Sequence, residues 1–371
     1  MIPRPWLNSY DPSVRPHIAY PPQVIPQFLA DTARMHPEYI ATTFNDADIT
    51  YGQLNAKVNG MARALKALGV KKGDHCALFL PNTPTYVIAY FAILKIGAVV
   101  VNLNVGTQGE ELADSLNASR AKVVISLDVF VPNIYRVIKD TAVEIVILHS
   151  VFGLEQKIKA DGGPKPLIFN DLVAAHPTDE PDWDCTPDDL AVLQYTGGST
   201  GRPKAAMLTH RTICANIAQT VEWVKVTEGS NEAVLCIIPF FHVFGMNACM
   251  NLAVRKGYRM ILIPRFDWLD LIPLIDMIEK YRPVSLPAVP GLWAALLMSS
   301  RATKALFEPL LMPVSGGAPL PEQVQDRYEK LTGRKIYVAY GLSEASSAAL
   351  FAPHPKGAPA GSIGLPLPDT D

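Results

Sequence analysis

No two cysteines of this chain stand at the C-x-x-C spacing of a zinc site or a dithiol motif; Cys76, Cys185, Cys214, Cys236 and Cys249 are scattered. Reduced thiols and a cytoplasmic setting are therefore expected. Basic charge is in slight deficit, with 33 Lys and Arg against 35 Asp and Glu, so the concentrated positive field needed to hold nucleic acid is lacking. The opening "MIPRPWLNSYDPSVRP" is proline-broken and polar where a secretory signal needs a continuous apolar stretch. The greasiest segment, "YVIAYFAILKIGAVVVNLN" from Tyr86, is interrupted by Lys95 and Gly97. Neither half reaches the roughly 20 apolar residues of a spanning helix, and the run reads as a core helix followed by a buried strand. No short repeat or low-complexity tract occurs.

What is present is alternation. From Cys76 to Ser150 short apolar strands ("CALFL", "AVVVNLN", "KVVIS", "VEIVILHS") alternate with helix-length segments ("TYVIAYFAILKIG", "GEELADSLNAS", "VPNIYRVIKDT"). Such alternation implies crossover connections and a largely parallel sheet. A proline- and acid-rich stretch, "AAHPTDEPDWDCTPDDL", reads as a surface connection. The pattern then resumes with strands "LAVLQYT", "EAVLCIIPF", "YRMILIP", "LLMPVSG" and "KIYVAYG" and helices "RTICANIAQTVEWV", "DWLDLIPLIDMIEKY" and "PEQVQDRYEKLTG". The expected fold is α/β, two stacked α/β parts with largely parallel sheets and minor β structure, divided near residue 180 into 1–180 and 181–371.

The segment "QYTGGSTGRPKAAMLTH", Gln194 to His210, carries the chemistry. A strand ending at Tyr195 and a helix starting near His210 put "TGGSTGRPKAAMLT" on a loop. Backbone amides around Gly197, Gly198 and Gly201, the hydroxyls of Thr196, Ser199 and Thr200, and the Lys204 ammonium suit a phosphate. A Walker A loop is excluded by spacing: Arg202 and Pro203 separate Gly201 from Lys204, and Ala205 stands where a metal-binding hydroxyl is needed.

The run from Tyr195 to Lys204 resembles the signature loop of the acyl-adenylate-forming superfamily, which includes acyl-CoA synthetases, firefly luciferase and peptide-synthetase adenylation domains. Ala205 replaces the family's usual glycine. Three further segments follow in the family's order. "PFFHVFG", Pro239 to Gly245, resembles the motif beside the acyl pocket and puts His242 near the carboxylate to be activated. "SGGAPL", Ser315 to Leu320, resembles the loop whose backbone at Gly316, Gly317 and Ala318 lies against adenine. In "YGLSEAS" the resemblance implies that Tyr340 stacks on adenine with Gly341 following, Ser343 contacts the α-phosphate and Glu344 binds Mg2+. The N-terminal "RPWLNSYDPSVRPHIAYP" and most of the chain resemble FadD-type long-chain fatty acyl-CoA synthetases, with a departure at "NVGTQGEEL" from Asn104.

The resemblance implies ATP-dependent activation of a fatty acid to acyl-AMP and then transfer to coenzyme A. Lys204, His242, Ser343 and Glu344 would be the catalytic residues, Glu344 the Mg2+ ligand, and His242, Met246, Val289 and Trp293 the acyl-contacting ones. It also implies that the whole chain is an AMP-binding N-terminal domain and that a small C-terminal catalytic domain lies outside it, leaving this portion incomplete for catalysis. Expected partners are fatty acid, ATP and CoA, with no nucleic acid and at most peripheral membrane contact; a homodimer is left open. A medium-chain or aromatic acid, a carrier-protein thiol as acceptor, and a non-catalytic acyl- or nucleotide-binding module are the competing readings.

Overall fold

The structure is a computed structural model and describes residues 4–150, 162–196, 204–224 and 231–371. Two compact units divide the chain. One comprises residues 22–38 and 49–211, the other residues 1–21, 39–48 and 212–371.

Among the described residues the first unit holds a seven-stranded sheet. Its spatial order is Leu167–Ile168, Ile145–His149, Val123–Leu127, His75–Phe79, Val99–Asn102, Leu190–Tyr195 and Ala205–Thr209. Every neighbouring pair is parallel except the last. Strands Val99–Asn102 and Val123–Leu127 are buried at every residue, as parallel strands covered on both faces must be. The unit boundary falls at Arg211 rather than near residue 180, because Leu190–Tyr195 returns to this sheet and pairs beside Val99–Asn102. Residues 205–209, expected as loop, form a strand folding back antiparallel on Leu190–Tyr195.

The helix Pro84–Lys95 explains the apolar run. Thr83 caps it, Oγ1 accepting from the Tyr86 amide, and a proline opens its first turn. Every residue from Thr85 to Lys95 is buried, so a helix apolar all round has found the interior position such a helix requires. Lys95 is tolerated there because its Nζ donates to Asn55 Oδ1 at 2.9 Å, to Asn59 Oδ1 at 2.6 Å and to the Glu180 carboxylate. Burial nevertheless lowers the pKa of Lys95, and Glu180 opposes that fall. Glu180 belongs to the stretch expected to connect two halves. That stretch is instead packed within the first unit, and its Trp183 also bonds Glu180 at 2.7 Å.

The second unit is built on a nine-stranded sheet among the described residues. Its spatial order is Leu365–Pro366, Ser347–Phe351, Tyr337–Leu342, Met312–Gly316, Ser285–Ala288, Ala233–Cys236, Arg259–Leu262, Ile40–Phe44 and Ala47–Thr50. The strands from Ile40–Phe44 through Tyr337–Leu342 run parallel, and Ser347–Phe351 and Leu365–Pro366 add an antiparallel edge. The N-terminal residues belong here. Tyr10 donates to the Pro366 carbonyl at 2.6 Å and sets its ring edge-on to Trp223, whose indole donates to the Ala352 carbonyl at 3.0 Å. Asp369 accepts from the Ile18 amide and the Tyr20 hydroxyl and pairs with His17 at 2.6 Å.

Candidate acyl-adenylate site

The parallel strands of the second unit set the direction of its site. Val234 pairs with Ser285, Ser285 with Met312, Val314 with Tyr337 and Gly316 with Ala339. The amino ends of these strands therefore carry Val234, Ser285 and Met312, and the carboxyl ends carry Gly316 and the residues after Ala339. Ligands of open parallel sheets bind beyond the carboxyl ends, where "SGGAPL" and "YGLSEAS" lie.

A cavity of about 410 Å3 follows that direction. His242, Gly316, Gly317, Tyr340, Gly341 and Ser343 line it at the carboxyl edge, and Val234, Val284 and Met312 line it at the amino edge. Both ends of Met312–Gly316 touch the cavity, so it extends along the sheet for about 13 Å at roughly 3.3 Å per residue. Its other wall is helical: Ile217 and Val221 from His210–Val224, and Asn247 and Ala248 from the π-helical turn Gly245–Asn251. A second cavity, about 350 Å3, adjoins the same rim. Gly317, Ala318, Tyr340 and Gly341 line it with Gln325, Ile336 and Ser362.

Backbone geometry at this rim depends on glycine. A Cβ on Gly341 would lie 1.7 Å from the Ser347 carbonyl oxygen, and the ladder between Tyr337–Leu342 and Ser347–Phe351 slips in register there. Gly317 sits at φ +82, a left-handed conformation that glycine adopts without steric cost. Tyr340, directly before that slip in register, leaves 46% of its surface exposed, open for a flat ligand to stack. Ser343 and Glu344 stand on a 3-10 turn directly after the strand, and Glu344 is exposed.

His242 is accessible to solvent but stands in a concave mouth crowded by protein. Desolvation there lowers its pKa, which keeps the ring neutral at pH 7 and able to donate one hydrogen bond while accepting another.

Of the expected acyl-contacting residues, His242 and Val289 line the cavity. Met246 and Trp293 do not; both are fully buried in the core. Trp293 donates to the Val314 carbonyl at 3.1 Å and packs edge-on against Tyr328, which turns it away from the cavity. In the turn that carries Met246, the cavity is met instead by the next two residues, Asn247 and Ala248.

The antiparallel strands Leu190–Tyr195 and Ala205–Thr209, which flank the phosphate-loop segment, are part of the first unit. Thr196 donates from its amide to the Lys204 carbonyl at 3.0 Å, closing the loop's base, and Lys204 is exposed. Gly197, Gly198, Ser199, Thr200 and Gly201 lie outside the described residues.

The AMP-binding enzyme family matches residues 29–371. This chain belongs to that family. A long-chain-fatty-acid–CoA ligase of Bacillus subtilis (strain 168) is 33% identical over 390 residues, covering 99% of this chain and 68% of that protein. Among solved structures, a long-chain-fatty-acid–CoA ligase, FadD1, from Archaeoglobus fulgidus superposes with a TM-score of 0.82 at 23% identity, over 97% of this chain and 72% of that one. The anthranilate CoA ligase AuaEII in complex with anthranoyl-AMP superposes with a TM-score of 0.84 at 22% identity, over 94% and 65% of the two chains. At those identities the structures show a shared fold. The AMP-binding chain thus spans about two thirds of the length of these relatives, matching their N-terminal portion, and membership in an adenylate-forming family implies use of ATP. No helix among the described residues is long and apolar enough to cross a membrane.

Proposed function

We propose that this chain is the acyl- and nucleotide-binding portion of a long-chain fatty acid–CoA ligase that works in the cytoplasm. The observation that carries the reading is the continuous cavity, apolar along the sheet and rimmed by Gly316, Gly317, Tyr340 and Ser343. A fatty acid laid in it with its carboxylate at the rim meets the α-phosphate of an ATP whose adenine rests against Gly317, Ala318 and Tyr340. A carboxylate oxygen attacks the α-phosphorus, and the bond from that phosphorus to the bridging oxygen of pyrophosphate breaks. The thiol of coenzyme A then attacks the acyl carbonyl, AMP leaves, and the thioester remains.

Each residue's part follows from its chemistry. Neutral His242 holds the carboxylate by one N–H without the full charge pairing that would blunt its nucleophilicity. The resemblance of the run from Tyr195 to Lys204 to the family's signature loop assigns its hydroxyls and Lys204 to the phosphates as donors. Ser343 donates to the α-phosphate. The donor set also suits Mg2+, which is commonly held through one or two carboxylates with water and substrate phosphates completing its shell. Glu344, exposed beside Ser343, is that carboxylate, and the ion would neutralise charge on the phosphates.

The test is pyrophosphate release by a protein carrying this chain at its relatives' length, with palmitate, octanoate, 4-coumarate and anthranilate compared. Each buried methylene contributes about 0.8 kcal/mol, so palmitate should exceed the others in kcat/KM by at least about tenfold. Preference for an aromatic acid would overturn the long-chain assignment, and pyrophosphate release followed by transfer only to a carrier protein would overturn the CoA step.

A further inference from the structure

The turn that presents Ser343 and Glu344 is strained. Ser346 sits at φ 59 and Ser347 at φ 116, left-handed values that serine adopts only when its surroundings impose them. The ladder cannot relax there, because Gly341 and the Ser347 carbonyl already cross at a distance that admits no Cβ. Ser346 does little to hold itself: its buried hydroxyl has no hydrogen-bond partner among the described residues. Within the turn the Ser346 amide donates to the Ser343 carbonyl at 3.1 Å.

The support comes from another element. Asn247, 1% exposed, donates from Nδ2 to the Ser346 carbonyl. Its own amide is oriented by Asn251, which donates from Nδ2 to Asn247 Oδ1 at 2.8 Å. Both asparagines belong to the π-helical turn Gly245–Asn251; π-turns inside helices are rare and frequent at functional sites. A buried side-chain amide at the head of an apolar cavity wall is costly unless its bonds are made. Here each bond leads toward the Ser343–Ser347 turn.

We propose that Asn247, oriented by Asn251, is a positioning residue that clamps the Ser346 carbonyl and so aims Ser343 and Glu344 at the phosphates and their metal. The proposal rests on the reading of Ser343 and Glu344 given above. It separates Asn247 from a mere wall of the acyl cavity: a wall residue matters to the acyl chain, whereas a clamp matters to the phosphates even when no acyl group is present.

The experiment is calorimetric titration of the chain, without fatty acid, with Mg2+ and α,β-methylene-ATP and separately with adenosine. Two variants are compared with the unaltered chain. Asn247→Asp keeps the shape and removes the donor, and Asn247→Leu removes both amide bonds; thermal melting confirms that each folds. Loss of a buried hydrogen bond should weaken the Mg2+-dependent binding of the triphosphate analogue by about tenfold, with adenosine affinity unchanged. Unchanged triphosphate binding in both variants overturns the clamp, as does an equal loss for adenosine, which would mark a general disturbance of the rim. If the unaltered chain binds neither compound, the nucleotide reading itself fails and the clamp with it.

Discussion

Replacing Glu344 with alanine is expected to lower Mg2+-dependent pyrophosphate release by at least about 100-fold, in a protein carrying this chain at its relatives' length. A metal ion on a transferring phosphoryl group contributes several kcal/mol of charge stabilisation, and each 1.4 kcal/mol is tenfold in rate. The fold should be indifferent to the change. Glu344 is exposed on a turn, has no ion pair among the described residues, and surface substitutions of that kind usually move stability by no more than about 0.5 kcal/mol. Steady-state kinetics across Mg2+ concentrations with a parallel thermal melt make the measurement. Activity retained at saturating Mg2+ would remove Glu344 from the metal's shell.

A second large effect is expected in stability rather than chemistry, at His210. The side chain is fully buried in the first unit, where Nδ1 accepts a hydrogen bond from the Ile25 amide at 3.2 Å. That bond places the proton on Nε2, which has no partner among the described residues. Burial pushes the pKa from 6.5 down to about 4, with Asp189 opposing the fall and Lys72 adding to it. Between pH 6.5 and about 4 the unfolded chain therefore binds a proton that the folded chain refuses. The stability contributed by neutral His210 is complete above pH 6.5, falls as pH drops through that window and is lost below pH 4. At 1.4 kcal/mol per pH decade the loss is on the order of 3 kcal/mol. In His210→Asn the amide oxygen replaces Nδ1 as acceptor and nothing titrates, so the urea midpoint should fall less between pH 7 and 4.5 than in the unaltered chain. Parallel pH profiles for the two proteins would show that His210 is not the group responsible.

Much of this architecture is legible in sequence because parallel sheets announce themselves locally. "CALFL", "KVVIS" and "LLMPVSG" are continuous apolar runs of strand length, and each is a buried strand. The antiparallel pieces are harder to see. Residues 205–209, "AAMLT", and 347–351, "SAALF", are short and weakly patterned, and they become strands because a neighbour offers an edge to pair with. The expected division near residue 180 follows composition, whereas the real one follows pairing, and no local signal in "LAVLQYT" says which sheet it joins. At the site, "SGGAPL" and "YGLSEAS" reach the rim because both end parallel strands. The cavity wall is the illegible part. The helix pair Ile217 and Val221, Asn247 and Val284 come from three separate segments of the chain that meet only through crossovers, and Trp293, which looks like a natural wall residue, has its indole N–H committed to the Val314 carbonyl. The four-residue spacing of Asn247 and Asn251 was the one sequence hint of the clamp.

In this reading the cavity along the sheet holds an acyl chain while the rim at its carboxyl end holds the adenylate. Calorimetric titration of this chain with non-hydrolysable palmitoyl-, acetyl- and anthranoyl-adenylate analogues tests that most directly. The structure calls for the palmitoyl compound to bind most tightly, by at least about tenfold over the acetyl one, because burial of its methylenes along the sheet adds to the contacts made at the rim. Equal affinity for all three, or exclusion of the palmitoyl compound, would contradict it.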